Sequence, residues 1–486
     1  MNIVRFNTFR TLDYFGKSTF FKTYPMDENN FGNFELSQDK IDQVTKIIVG
    51  KKLISSKYNI ARTFEDGYTV IFNTLYDGVV VLDSKETELY NHVDDRCSFN
   101  ESDIILFLLG ILILNSEDEE SIINIQRDEL LFNRKGTPII TILPTQACNA
   151  RCEYCFAEHN EKITISLQTI DDIIAYFVNN FHSGNKVIIR WFGGEPLLAK
   201  DAISKITNGI DKAFRGALQF DSIMFTNGSL LTDKIIEIAK KEWHLKKIQL
   251  TIDGYEHEHN RRKNYNDADV NYYKKTINDI SQLLECGIGV DCRVNLDKDN
   301  IQQIDQILTD LNPYKDNPLF RARLTILRPS DCGYNIFNFI RPDDLEWAYG
   351  IIYRKLFSYG FLNDIKLILP QRRKESCISK SLNKVIIGAD GKLYKCLQQV
   401  LSEEHSVGTL NSGIMPGDFV DKYCKKNIHS ECNICVFLPL CVGGCDVYWD
   451  LQREEEVTPC IREKYFFDML LEFVHNWDRN GTLNNG

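Results

Sequence analysis

The stretch PIITILPTQACNARCEYCFAEHN, residues 138–160, joins an apolar run to three cysteines within eight residues, Cys148, Cys152 and Cys155. PIITIL is short and rich in β-branched residues, and reads as a buried strand. The loop behind it holds an awkward number of thiols, because a structural zinc site takes four ligands and a disulfide takes two. A Cys-x3-Cys-x2-Cys loop can hold three irons of a four-iron cluster and leave the fourth iron open to another ligand. Two other readings of the same residues are a zinc site completed by His159 or a distant residue, and three plain core cysteines.

Downstream, apolar runs return at 187–192, 221–226, 247–252, 288–294 and 319–327, with stretches of helical period between them. Ile170, Ile173, Ile174, Phe177, Val178 and Phe181 share one helical face; so do Ile203, Ile206 and Ile210, and Ile301, Ile304, Ile307 and Leu308. Alternating strands and helices imply a parallel sheet, and six such units suit a barrel or partial barrel. In such an α/β fold function sits on loops at the C-terminal ends of the strands, and the cysteine loop falls at one. The barrel is expected over 136–330, followed by a connecting segment over 331–371 with one helix at 343–358.

Ahead of the barrel, TVIFNTLYDGVVVLD (69–83) predicts a hairpin with a type I′ turn at Asp77-Gly78. A helix is expected from Ser84 to Val93, and ESDIILFLLGILIL (101–114) predicts a short helix stopped at Gly110 and then a strand. Residues 1–135 therefore read as a winged-helix-like α+β module, with Glu117–Glu120 as a solvated loop. Residues 372–486 are marked by Cys377, Cys396, Cys424, Cys432, Cys435, Cys441, Cys445 and Cys460. By spacing alone this tail suits iron–sulfur clusters or a pair of zinc knuckles.

The 486 residues allow two or three domains. Against 57 Lys and Arg stand 68 Asp and Glu, a formal charge of −11, which argues against nucleic acid as the main partner and suits basic or amphipathic peptides. The N-terminus has no continuous apolar run of the signal-peptide kind. Ile104–Leu114, the longest apolar run, is too short to span a bilayer and is interrupted by Gly110. A cytoplasmic protein without a membrane partner is expected. Fifteen cysteines in a reducing compartment point to metal or cluster ligation rather than disulfides, with Cys97, Cys286 and Cys292 as small core residues.

The cysteine loop, with Tyr154 before its last cysteine and Phe156 after it, resembles that of the radical S-adenosylmethionine (SAM) enzymes. Further motifs stand in matching order: WFGGEPLL (191–198) after the second strand, FTNGSLLT (225–232) after the third, TIDGYEHEHNRRK (251–263) after the fourth, and RVN (293–295) ending the fifth. Each motif alone is weak; five in one order, each at the correct end of a strand, are specific, and they cover the whole second region. The resemblance implies that Cys148, Cys152 and Cys155 hold a 4Fe–4S cluster whose open iron is chelated by the amino and carboxylate groups of SAM. It also implies SAM-side roles for Tyr154, Gly193, Gly194, Glu195, Pro196, Asn227, Thr251, Asp253 and Arg293, and for Arg261 or Arg262, of which Arg262 is taken. Lys263 occupies one aligned position for that arginine. Glycines let backbone approach a ligand, and the Glu195 carboxylate can pair with an ammonium. The implied chemistry passes one electron to the SAM sulfonium and yields a 5′-deoxyadenosyl radical, which removes hydrogen from an unactivated C–H bond.

The tail resembles the SPASM extension, which houses two auxiliary clusters, for three 4Fe–4S clusters in all. By that resemblance Cys432, Cys435, Cys441 and Cys460 ligate the distal cluster, and Cys377, Cys396 and Cys445 the one nearer SAM. The nearer set counts three, with Cys332 and Cys424 as substitutes of poor fit; otherwise its open iron is available to a substrate thiolate. Peptide-modifying relatives often carry a winged-helix module that captures a precursor's leader as an added strand, which is the role expected for residues 1–135. The resemblance thus implies a maturase of a ribosomally made precursor peptide, served by an electron donor such as flavodoxin or ferredoxin. Thioether crosslinks are expected, with carbon–carbon or carbon–oxygen crosslinking and formylglycine formation of the anaerobic sulfatase type as rivals. A non-catalytic, metal-stabilised binding protein would leave the SAM motifs without purpose.

Overall fold

The computed structural model describes residues 1–5, 38–96, 98–115, 118–132, 136–155, 162–267, 269–328, 338–372, 377–419, 423, 428–450 and 458–480. Cys97, Glu117, Phe156, His159, Cys332 and Cys424 lie outside the described residues.

The N-terminal strands are β1 (Asn2–Arg5), β2 (Leu53–Ser55), β3 (Asn59–Thr63), β4 (Thr69–Asn73), β5 (Val79–Leu82) and β6 (Leu112–Leu114). They form an antiparallel sheet of order β1-β5-β4-β3 and a separate pair, β2 with β6. The predicted hairpin is β4–β5, but its connection runs from Thr74 to Gly78, and only Asp77 takes a positive φ (65°). Asn73 closes this longer loop by accepting the N–H groups of Leu75 and Tyr76 on its Oδ1, at 3.0 and 2.7 Å. A type I′ turn at Asp77-Gly78 is thereby ruled out. The helix Ser84–Asn91 opens on an Asp83/Glu86 capping box, and Gly110 (φ 73°) ends the helix Glu101–Leu108 as predicted.

The acidic run is a correction. Glu119 and Glu120 open a helix, Glu119–Phe132, and Glu119 is buried, accepting from Ser56 Oγ at 2.6 Å and Lys57 N–H at 3.1 Å. Acidic residues favour a helix N-terminus for the same electrostatic reason that they favour water, so composition alone could not separate helix from loop.

Six parallel strands follow in sequence order: β7 (Ile139–Thr145), β8 (Lys186–Gly193), β9 (Gln219–Thr226), β10 (Leu245–Ile252), β11 (Gly289–Leu296) and β12 (Phe320–Ile326). On β8, β9 and β10 buried residues alternate with half-buried ones. Val187, Ile189, Trp191, Met224, Ile248 and Leu250 belong to the main core together with Ile173, Phe177, Ile203 and Ile206 of the flanking helices. Val178 departs from the predicted stripe and is about half exposed. Parallel sheets are ordinarily covered on both faces. Here the face turned from the helices carries Arg190, Gln249, Thr251 and Arg293, and stays partly open. This is a mixed α/β partial barrel with an accessible polar interior.

The sheet continues beyond β7. Strand β13 (Lys384–Ile387) runs parallel to it, and β14 (Lys392–Tyr394), β15 (Gly408–Thr409) and β16 (Gly413–Ile414) extend the far edge. The cysteine-rich tail is therefore hydrogen-bonded to the strand that leads into the cysteine loop. At the opposite end of the chain, β4 and β5 are buried on both faces. Ile71, Val80 and Leu82 face the module's own helices, while Val70, Phe72, Val79 and Val81 join the main core. Phe72 meets Phe467 of the helix Phe467–Asn480 edge-on, with ring centroids 5.1 Å apart.

Candidate active site

The cysteine loop leaves β7 under close constraint from the Gly193-Gly194-Glu195 segment. Gly194 N–H donates to Thr145 O at 3.0 Å and Glu195 N–H to Ala147 O at 2.8 Å. A Cβ on Gly193 would collide with Thr145 O, and one on Gly194 with the carbonyl oxygens of Ala147 and Gln146. The glycines permit a close backbone approach, and the backbone approached is the start of the cysteine loop. Glu195 is fully buried, and its carboxylate accepts from Thr226 Oγ1 (2.7 Å), Leu197 N–H (3.0 Å) and Asn227 N–H (2.9 Å). Burial raises its carboxyl pKa in spite of these bonds. The carboxylate braces the end of β8 against the end of β9. Pro196, also buried, opens the turn Pro196–Ala199.

Asn227 reaches into the loop itself. Its Nδ2 lies 3.8 Å from Cys148 Sγ and 3.0 Å from Asn149 Oδ1, and Ala150 N–H lies 3.4 Å from the same sulfur. Donors aimed at a sulfur stabilise its thiolate form. In the bare chain burial dominates: it raises Cys148, and pushes Cys152 up to about 12 against the pull of Lys263.

Below the loop lies a buried polar knot. Tyr154 OH donates to Asp253 Oδ2 at 2.6 Å, Lys263 Nζ pairs with the same oxygen at 3.0 Å, and Asn295 Nδ2 donates to Asp253 Oδ1 at 2.9 Å. Lys263 and Asn295 also reach Tyr154 OH, at 3.3 and 3.2 Å. Burial works against both charges, yet each holds the other: Asp253 stays below the ordinary carboxylate range and Lys263 well above the ordinary amine range. His259 Nδ1 accepts from Asp253 N–H at 3.2 Å, and burial brings that imidazole down to about 3, so it is neutral. The knot ties the cysteine loop to the ends of β10 and β11.

The helix Glu256–Lys263 sorts its three basic residues by face. Arg261 is exposed and pairs with Glu258. The buried Arg262 guanidinium spans the Asp297 carboxylate at 2.6 and 2.8 Å and also holds Glu258. Lys263 alone of the three turns to Tyr154, and Arg151 N–H of the loop donates to its carbonyl at 2.8 Å. The motif reading emphasised Arg262 and did not assign Lys263 a role. The spacing held a signal: Lys263 lies four residues after His259, on the same helical face. Thr251 and Arg293 sit opposite one another on β10 and β11, on the open face.

In the tail, burial and the neighbouring thiols Cys377 and Cys445 push Cys396 up to about 12. Burial together with Cys441, Cys460 and Cys435 pushes Cys432 up to about 11. Cys377 and Cys445 are thus neighbours of Cys396, and Cys435, Cys441 and Cys460 are neighbours of Cys432. Cys292 is a buried core residue as expected, whereas Cys286 is only half-buried, at the end of a helix. Among the described residues no three His, Cys, Asp or Glu side chains are packed tightly enough to hold a single metal ion. A cluster asks for a different arrangement, since its thiolates ligate separate irons around a cube.

Residues 142–311 match the model of the Radical SAM superfamily. Over 317 residues the chain is 24% identical to the radical SAM cyclopropyl synthase TigE of Paramaledivibacter caminithermalis, covering 55% of this chain and 65% of that protein, so less than two thirds of that relative is spanned. Among solved structures, anSMEcpe with bound AdoMet and Cp18Cys peptide superposes with a TM-score of 0.53 at 17% identity, over 70% of this chain and 98% of that one. SuiB of Streptococcus suis gives 0.50 at 16% identity, over 84% and 100%. These two likenesses establish the fold. Residues 142–311 are a radical SAM domain, a catalytic domain whose family implies a 4Fe–4S cluster and SAM. Among the described residues no helix is long and apolar enough to cross a membrane.

Proposed function

We propose that this chain is a maturase of a ribosomally made peptide, joining a cysteine sulfur of the precursor to a carbon of a nearby residue. What supports this reading is the count of the nearer tail set, for which the sequence resemblance supplies three cysteines, Cys377, Cys396 and Cys445, of which Cys377 and Cys445 act on Cys396; Cys332 and Cys424 lie outside the described residues. A set of three leaves one iron of a cluster open to a substrate thiolate.

Cys148, Cys152 and Cys155 would hold the SAM-binding cluster, and the distal tail cysteines a third. Bound SAM supplies a 5′-deoxyadenosyl radical. The residues around the loop do the rest. Asn227 and the Ala150 N–H stabilise charge on Cys148, and the knot of Tyr154, Asp253 and Lys263 fixes the loop's height above the barrel. Thr251 and Arg293 line the open face where SAM would lie, while Glu195, Asp253 and Arg262 are committed within the chain and act as supports. Crosslinking would take a hydrogen atom from the acceptor carbon and a proton from the thiol as the S–C bond forms, and a cluster held by Cys377, Cys396 and Cys445 would accept the one remaining electron. Residues 1–135 would seat the leader, and a flavodoxin or ferredoxin would deliver electrons. That anSMEcpe was solved with a peptide supports a peptide substrate.

A second reading is carbon–carbon bond formation, favoured by the likeness to a protein named a cyclopropyl synthase. One experiment separates them. A cysteine-containing peptide encoded beside this chain is incubated anaerobically with reconstituted protein, SAM and reductant, then alkylated. Loss of a hydrogen pair together with loss of the alkylatable thiol is expected. The same mass loss with the thiol still reactive would favour the second reading, and an unchanged mass would reject both.

A further inference from the structure

Among the described residues three guanidiniums, those of Arg293, Arg328 and Arg462, stand without a carboxylate at ion-pair distance, Asp253 acting on Arg293 only from farther off. Arg293 neighbours Arg323 across β11 and β12, and its Nε donates to Asn295 Oδ1 at 2.9 Å, which links it through Asn295 to Tyr154. Arg328 follows the C-terminal end of β12 and lies over the ring of Tyr448, 5.4 Å from its centroid. Gln398 Nε2 is 3.5 Å from the hydroxyl of the same tyrosine. Tyr448 follows Cys445 by three residues and Gln398 follows Cys396 by two, so Arg328 stands at the nearer set. Arg462 donates to Tyr349 OH at 3.1 Å, and its charge acts on both Arg293 and Arg328. Arg323 is paired with Asp291. Among the described residues no carboxylate lies within ion-pair distance of Arg293, Arg328 or Arg462.

Such an arrangement runs against the general rule. Half-buried guanidiniums have lost part of their hydration and repel one another, and charges drawn out of water are ordinarily paired. The chain as a whole is strongly acidic, so the unpaired cations are not a by-product of composition. An entering anion would relieve the repulsion, and the planar guanidinium matches a carboxylate with two parallel hydrogen bonds. Arg293, tied to the cysteine loop, is placed for SAM. Arg328 and Arg462 lie beyond it.

We propose that Arg328 and Arg462, framed by Tyr448 and Tyr349, form a carboxylate-binding subsite for the substrate. It seats an acidic side chain or the C-terminal carboxylate of the peptide and sets which residue faces the radical. This inference rests on the peptide-maturase reading and adds a specificity to it.

The test uses the reconstituted full chain with SAM under argon and three capped probes: acetyl-Gly-Glu-Gly-amide, acetyl-Gly-Gln-Gly-amide and acetyl-Gly-Gln-Gly with a free C-terminus. Binding is followed by saturation-transfer NMR. The glutamate probe, the free acid or both should bind at least about tenfold more tightly than the glutamine amide, as expected when a site built for a charged group meets a neutral isostere. Which of the two binds identifies the source of the carboxylate. R328Q/R462Q should lose this preference while its SAM affinity and the electron paramagnetic resonance of its reduced clusters match the parent. R328K/R462K, which keeps the charge, should retain the preference and covers the case in which the glutamine variant misfolds. Equal binding of all three probes, or binding of none, overturns the subsite. So does R328Q/R462Q if it keeps the preference, binds SAM more weakly or shifts the cluster signal; the last two would assign the guanidiniums to SAM or to cluster charge. Failure of the maturase reading is seen separately, as an unmodified precursor.

Discussion

Lys263 and Asp253 show how much a single buried pair can organise. Each charge is out of water and is tolerated because the other is 3.0 Å away, with Tyr154 and Asn295 satisfying the remaining valences. Removing one partner strands the other, so Lys263→Met should cost roughly 3–5 kcal/mol in urea unfolding, and D253N/K263M less than the sum of its parts. His259 sets a pH dependence. Its folded value is about 3 against an ordinary 6.5, so between those values the unfolded chain binds a proton that the folded chain refuses. Stability from this residue is whole above about 6.5 and is lost as the pH falls toward 3. His259→Phe should flatten that slope in urea midpoints measured across the window, relative to the parent. Gly194 supplies a third outcome: Gly194→Ala would push on the carbonyls of Gln146 and Ala147 and displace Cys148. Its iron content should fall by about four per chain, with the tail's iron retained. Equal loss from all sets would show that the strain is not local.

At the scale of elements, the strands and the motif order were legible because each rests on a local pattern. The run 138–143 became Ile139–Thr145, and 247–252 became Leu245–Ile252. What misled was local ambiguity of another kind. Glu119 reads as solvent-loving until Ser56 and Lys57, far off in sequence, are folded onto it. The five-residue loop after β4 depends on Asn73, whose side chain competes with a shorter turn. The C-terminal helix is the element whose importance was least visible. Phe467 packs on Phe72 from one end of the chain and on Phe437, between the distal cysteines, with centroids 5.1 and 5.2 Å away. Phe467→Ala should cost about 3–5 kcal/mol and should raise hydrogen exchange in β4 as well as in the helix. Exchange confined to the helix would disprove the shared core.

At the scale of the molecule, the N-terminal module, the partial barrel and the tail share one apolar core, and the tail's first strand pairs with β7. Three cysteine sets distributed over this scaffold predict about twelve irons per chain after anaerobic reconstitution. About four, or zinc in place of iron, would reject the three-cluster assignment.

The sequence by itself determined the order of strands and helices, the position of the cysteine loop behind the first barrel strand, and the cysteine-rich character of the tail. Such features repeat at short range, and periodicity or spacing reports them. Tertiary structure alone decided that Glu195 and Arg262 face inward to the chain, that Lys263 is the basic residue beneath the loop, and that Arg293, Arg328 and Arg462 meet with no carboxylate among the described residues at ion-pair distance. Those facts join residues from separate strands and loops, and a buried charge acquires its partner, or lacks one, only when the chain closes around it.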